Sequence, residues 1–359
     1  MQSTQWKRLG VFAFLDTGPP PIHQKDYVTL VMVHGRGGTA DFFSRLLPLA
    51  GKLGARVVAI NRRDYPGSTP FSEEDRALLF STTYDTPAAS DHADHYMKAR
   101  AGEFYDFLSQ LVKSEELPIN SIILAGWSLG TAFVNSFLAY GPSFDLELWG
   151  AGLSQHIRRV IAYDPPSLAM GYPFPDGYYF PLNDPPISQE KEVFPSWVTG
   201  HYADGDTLET LSLRNALDEP SPTITRMSHE DLASTFHEPP TLLDGSDTVI
   251  QKSGVDRGVF SRLREAALFA PQHSEIAWPN VEFRYVCCDR SVWLMPWGIW
   301  SFGAEIDQVR KDGKRIRKHS VVRMKGANHC AHWDEPERTL RLLLSDAPSD
   351  INVQDVAKL

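Results

Sequence analysis

The chain has 359 residues, 42% of them hydrophobic and 22% charged, with a formal net charge of −10. That length admits one large domain or a core carrying an inserted subdomain. The acidic balance excludes nucleic acid or an anionic membrane surface as the main partner, because both select basic patches.

In chain order, the N-terminal stretch "MQSTQWKRLGVFAFLDTG" lacks the long apolar region of a signal peptide. No run of about 18 apolar residues occurs, so no membrane span is expected. "YVTLVMVHG" (Tyr27 to Gly35) is a continuous β-branched run ending in glycine and reads as a strand buried on both faces, as does "ARVVAINRRD". "HADHYMKARAGEFYDFLSQLV" places Tyr96, Phe104, Phe107, Leu108 and Leu111 at helical spacing. "SIILAG" is a further strand, "LGTAFVNSFLAY" a helix, and "RRVIAYD" a strand stopped by Pro165 and Pro166. This alternation predicts a doubly wound, mostly parallel α/β sheet.

From Pro165 to about Trp278 the alternation stops, and Pro, Gly and Tyr accumulate. A structureless loop of that length is implausible, so residues 165–278 are expected to form a largely helical inserted cap. Residues 1–164 and 279–359 would form the core. The pattern resumes with a strand in "NVEFRYVCC", a helix around Trp300 to Arg310, a strand in "SVVRMKG" and a helix in "DEPERTLRLLL" with Asp334 near its N-cap. "RKDGKRIRKH" reads as a solvated turn. Three cysteines, Cys287, Cys288 and Cys330, do not resemble a disulfide framework and point to a reducing compartment.

The chemistry centres on "GWSLG". Ser128 sits between Gly126 and Gly130 where a buried strand meets a helix. That is a nucleophile elbow: a sharp turn that lifts the hydroxyl out of the sheet at the positive end of the next helix. A serine hydroxyl needs a base, and the base needs an orienting acid. His329, in the loop directly after the last strand, is the expected base, with His332 flanking the site or capping the helix. A metal pair at these two histidines lacks a third ligand at sensible spacing, and no metal or cofactor is expected. The oxyanion hole is expected from the backbone N–H of Leu129 together with that of Gly35 or Arg36 in "HGRGG".

"HGRGG", "NRRDYPGS", "GWSLG" and "GANHCAHWDEPE", in this order on both sides of the expected cap, resemble the lid-bearing α/β-hydrolases. More narrowly, "YDPPSLAMGYP" and its companions are similar to uncharacterised hydrolases of filamentous and mushroom-forming fungi. The resemblance implies an acid three residues past a glycine after the penultimate strand, but here that position is Ser291. Two carboxylates remain, Asp289 and Asp164. Asp164 ends its strand and is followed by proline, an arrangement that resembles zearalenone-type lactonases, and it is the expected acid.

The family's epoxide hydrolases and haloalkane dehalogenases carry aspartate where this chain has Ser128. Ser128 therefore argues against their chemistry and for a serine hydrolase acting on a small ester or lactone, and the aromatic residues of the expected cap (Tyr172, Phe174, Tyr178, Tyr179, Phe180 and Trp197) point to an apolar or aromatic one. Trp127, Tyr172 and Trp197 are expected to contact that substrate. Three other readings stay open: carbon–carbon cleavage, lyase or cyclase chemistry on the same triad; a ligand-binding receptor with little turnover; and a peptidase, for which no selector domain is visible. The last residues, Ala357-Lys358-Leu359, resemble the tripeptide read by the peroxisomal import receptor, giving a peroxisomal or cytoplasmic location.

Overall fold

The computed structural model describes residues 6–21, 27–147, 152–181, 187–203, 205, 207–270 and 274–346. The C-terminal tripeptide lies outside the described residues. Eight strands form one sheet: β1 (Trp6–Leu9), β2 (Phe12–Asp16), β3 (Val28–Val33), β4 (Ala55–Asn61), β5 (Ile122–Trp127), β6 (Ile157–Tyr163), β7 (Glu282–Cys288) and β8 (His319–Met324). Their spatial order is β1-β2-β4-β3-β5-β6-β7-β8. β1 and β2 pair antiparallel and β2 meets β4 antiparallel, while the remaining pairs are parallel.

The apolar runs in the sequence follow from burial on both faces. In β3, Val31 and Val33 point into one core while Leu30 and Met32 point into the other. Neither face meets water, so no polar alternation appears. The helices Ala89–Glu115 and Gly130–Glu147 pack on each other and cover one face. Tyr96, Phe104, Phe107, Leu108 and Leu111 of the first are buried, as their spacing predicts.

The hairpin of β1 and β2 is not foreseen in the sequence reading. Among the described residues the chain between β6 and β7 adds no strand to the sheet; it forms short helices, including Ser246–Asp256 and Val259–Leu268. Val259–Leu268 packs on Gly130–Glu147.

The last helix begins at Pro336, since proline suits the first helical position, and Asp334 lies one residue before its N-cap, Glu335, as expected. The Asp334 carboxylate accepts from Thr223 Oγ1 at 2.6 Å and Arg226 Nη2 at 2.7 Å. One local expectation is corrected. The basic stretch before β8 is not wholly solvated: Arg317 is buried and donates to the carbonyls of Ala267, Ala277, Trp278 and Val281. Burial lowers its pKa to about 10.

Candidate active site

Ser128 follows the end of β5 with φ +55°, and the helix Gly130–Glu147 begins two residues later. A serine in this left-handed region costs on the order of 1–3 kcal/mol, which the surroundings must hold in place. The glycines show how. A Cβ on Gly126 would lie 2.5 Å from Gly130 O, and one on Gly130 would lie 2.5 Å from Val33 O. Only bare backbone fits on both sides of the elbow. Ser128 N donates to Tyr163 O at 3.1 Å and Thr131 N to Ser128 O at 3.0 Å, so the turn is tied to β6 and to its own helix.

Asp164, at the end of β6, is fully buried with φ +46°. His329 Nδ1 donates to its Oδ2 at 2.7 Å, Ser291 Oγ donates to the same oxygen at 2.6 Å, and Cys288 N donates to Oδ1 at 2.7 Å. The structure thus brings Asp164 and His329 together. Asp289 is turned elsewhere: it accepts from Gly326 N at 2.6 Å and pairs with Arg323 at 3.3 Å. Ser291, the position the family resemblance would give the acid, serves Asp164 as a donor instead; sequence reading did not foresee that role. Among the described residues Ser128 Oγ carries no hydrogen bond, to His329 or to any other group.

The glycine loop lies against the elbow. A Cβ on Gly35 would meet Ser128 Cβ at 2.6 Å and Ser128 Oγ at 3.1 Å. Among the described residues the N–H groups of Arg36 and Leu129 have no acceptor, so both are available to an oxyanion. Gly37 N donates to Tyr65 Oη at 2.9 Å and to Asp247 Oδ2 at 3.2 Å and is not available. Asp247 also accepts from Arg62 at 2.8 and 2.9 Å and from Tyr65 Oη at 2.5 Å. Burial pushes its pKa up, and the Arg62 charge with the hydrogen bonds of Arg62 and Tyr65 brings it net below the usual carboxylate range.

Trp127 is buried between Phe42, stacked at 5.0 Å, and the His329 ring at 4.8 Å; its Nε1 donates to His329 O at 2.9 Å. Its contacts are with the elbow's own partners. Tyr172 is buried, with Oη donating to Glu305 at 2.7 Å and Arg264 over its ring. Trp197 is buried, with Nε1 donating to Leu213 O at 3.0 Å. His332 does not cap a helix through its ring; it is buried among Phe42, Phe43, Trp127 and Tyr163. Burial, and secondarily His329, hold it well below its ordinary pKa. Cys287, Cys288 and Cys330 are buried free thiols whose pKa values burial pushes well up.

The strand order with β2 antiparallel, a serine elbow after β5 and a histidine after β8 define an α/β-hydrolase fold. The model of the alpha/beta hydrolase family matches residues 30–342, and the chain belongs to that family. An epoxide hydrolase from Vigna radiata is similar over 96% of this chain and 97% of its own, at 14% identity and a TM-score of 0.55. A variant of the epoxide hydrolase from Solanum tuberosum is similar over 94% and 97%, at 12% identity and a TM-score of 0.53. At these identities the likeness is one of fold, which does not fix a reaction. No curated protein sequence matches the chain. Among the described residues no helix is long and apolar enough to cross a membrane.

Proposed function

We propose that this chain is a serine hydrolase that cleaves a small apolar or aromatic ester or lactone through an acyl-enzyme. The observation that carries the reading is the 2.7 Å contact between Asp164 and His329, with the acid fixed by Ser291 and Cys288, beside a serine at a strained elbow. Asp164 holds the Nδ1–H tautomer and leaves Nε2 free to take a proton. In the cycle, His329 Nε2 removes the Ser128 proton as Oγ attacks the carbonyl carbon. The oxyanion is held by the N–H groups of Arg36 and Leu129. His329 then protonates the leaving alkoxide, and a water activated by His329 cleaves the acyl-enzyme.

The segment 165–278 is read as a cap over this site. It delivers Asp247 and Phe236 to the glycine loop, the latter through a bridge to Gly38. Preference for an aromatic substrate is supported by the aromatic side chains of this segment, among them Phe174, Tyr178 and Phe180, which cluster with Trp293. The family relatives named above act on epoxides by their names; Ser128 at the elbow favours acyl transfer here, because an oxygen ester of serine is readily cleared by water.

The test is incubation with a fluorophosphonate, read by intact mass. Labelling of the wild type and not of Ser128→Ala supports the reading; a folded wild type that stays unlabelled overturns it. A peroxisomal address at Ala357-Lys358-Leu359 is proposed alongside, and a fluorescent fusion that localises identically with and without the tripeptide refutes it.

A further inference from the structure

The oxyanion hole just proposed needs the Arg36 N–H aimed at one point in space, and the hydrogen bonds around it suggest what holds that aim. A peptide is planar, so the Gly35 carbonyl and the Arg36 N–H point in opposite directions. The Gly35 carbonyl accepts from Arg62 Nη2 at 3.1 Å and from His34 Nδ1 at 2.9 Å. His34 can donate there because its Nε2 accepts the Arg62 amide at 3.0 Å, which fixes the neutral Nδ1–H tautomer. One peptide further on, the Gly37 N–H is taken by Tyr65 Oη and Asp247 Oδ2. The Arg36 side chain is anchored as well, donating to Thr241 O at 2.9 Å and Thr248 Oγ1 at 2.7 Å. Both peptides flanking the Arg36 Cα are therefore held by groups other than substrate.

We infer that Arg62 and Asp247 are positioning residues of the oxyanion hole: their buried ion pair grips the Gly35 carbonyl and the Gly37 N–H, so that the Arg36 N–H between them faces the oxygen of the carbonyl that Ser128 attacks. A buried ion pair is weak evidence for stability in its own right, because desolvation offsets the attraction. This pair also lies where a small rotation of the Gly35–Arg36 peptide would take a donor off target. Asp247 belongs to the segment between β6 and β7, so that segment becomes part of the catalytic geometry as well as a cover. The inference rests on the hydrolase reading above.

The experiment is fluorophosphonate labelling of Ser128 resolved into a maximal rate, kinact, and a half-saturating concentration, KI, with melting temperatures recorded alongside. In that reaction Ser128 Oγ bonds to phosphorus, fluoride leaves, and the serine proton passes to His329, while the phosphoryl oxygen builds charge in the oxyanion hole. Arg62→Lys keeps the charge beside Asp247 but loses the fork that reaches the Gly35 carbonyl at the same time. Loss of one aimed oxyanion donor is expected to lower kinact by about 100- to 1,000-fold, with KI changed by no more than about threefold. A pair that merely staples segment to core would lower the melting temperature and leave kinact in place.

Tyr65→Phe keeps the ring and the ion pair but frees Gly37 N and Asp247 from the hydroxyl, and should lower kinact by about fivefold or more. A folded Arg62→Lys protein labelled at the wild-type kinact overturns the inference. If Arg62→Lys does not fold, Asp247→Asn, which keeps the side-chain shape but removes the charge that holds Arg62, decides by the same criterion. An unlabelled, folded wild type overturns the hydrolase reading and this inference with it, whereas a labelled wild type with equally labelled variants overturns this inference alone.

Discussion

Replacing Asp164 by asparagine tests the site at its most buried point. The side chain keeps its shape, but one oxygen becomes an NH₂ group. Oδ1 accepts from Cys288 N at 2.7 Å, and Oδ2 accepts from both Ser291 Oγ and His329 Nδ1. Turning the NH₂ toward Cys288 would oppose two donors in a fully buried place, at a cost of about 1–3 kcal/mol. The Ser291 hydroxyl can rotate to accept instead, so the NH₂ is expected to face His329. The imidazole must then accept at Nδ1 and carry its proton on Nε2, the nitrogen that should take the Ser128 proton. The wrong tautomer costs on the order of 10⁴-fold in serine proteases, equivalent to about 5.4 kcal/mol of barrier. The assay is turnover of an activated aryl ester and fluorophosphonate labelling, with circular dichroism to establish folding. Asp289→Asn is the control and should stay within about threefold of wild type, since Asp289 serves Gly326 N and Arg323. A folded Asp164→Asn protein within tenfold of wild type, or a larger loss in Asp289→Asn, would refute the assignment.

Gly35→Ala should abolish labelling at near-native secondary structure, because the new methyl would sit 2.6 Å from Ser128 Cβ; wild-type labelling would mean that the loop can retreat. Arg317→Met should lower stability in urea by about 2–4 kcal/mol by leaving buried carbonyls unpartnered, and an unchanged midpoint would contradict this. His332 is held neutral in the fold, so the unfolded chain takes up a proton that the folded chain does not as pH falls below about 6.5. Its contribution is fully present above that pH and is lost below it. His332→Phe should therefore flatten the decline in unfolding free energy between pH 6.5 and 5 by up to about 1.4 kcal/mol per pH unit; parallel curves would show the histidine is not buried neutral. His34 acts in the same direction and leaves a residual slope.

The parts of this molecule that could be read from sequence are those whose cause is local. Val31 and Ile123 sit in runs that are apolar because both sheet faces are covered. Ser128 announced itself because a sharp turn needs glycine at Gly126 and Gly130 for contacts within a few residues and with the adjacent strand. Asp164 was marked by the prolines that force the chain away from the sheet. The β1–β2 hairpin was missed because β1 has four mostly exposed residues, too short and too polar to show a period. Arg62 and Asp247 lie 185 residues apart, and Ser291 lies 127 from Asp164, so nothing local pairs them. Trp127, Tyr172 and Trp197 carry the same letters whether they meet a substrate or fill a core, and in the fold all three are buried with their ring nitrogens or hydroxyl on protein acceptors.

Asp164 is served by β7 through Cys288, by the loop after β7 through Ser291 and by the loop after β8 through His329. The histidine contact spans 165 residues of chain, and it cannot close until the last three strands have aligned. Such a long-range closure comes late, after the local helices have formed. On dilution from denaturant, helical ellipticity should return before fluorophosphonate labelling of Ser128 does, and the lag between the two curves would time the docking of β7 and β8 onto β6. The contact between Asp164 and His329 thereby doubles as a clock for the completion of the sheet.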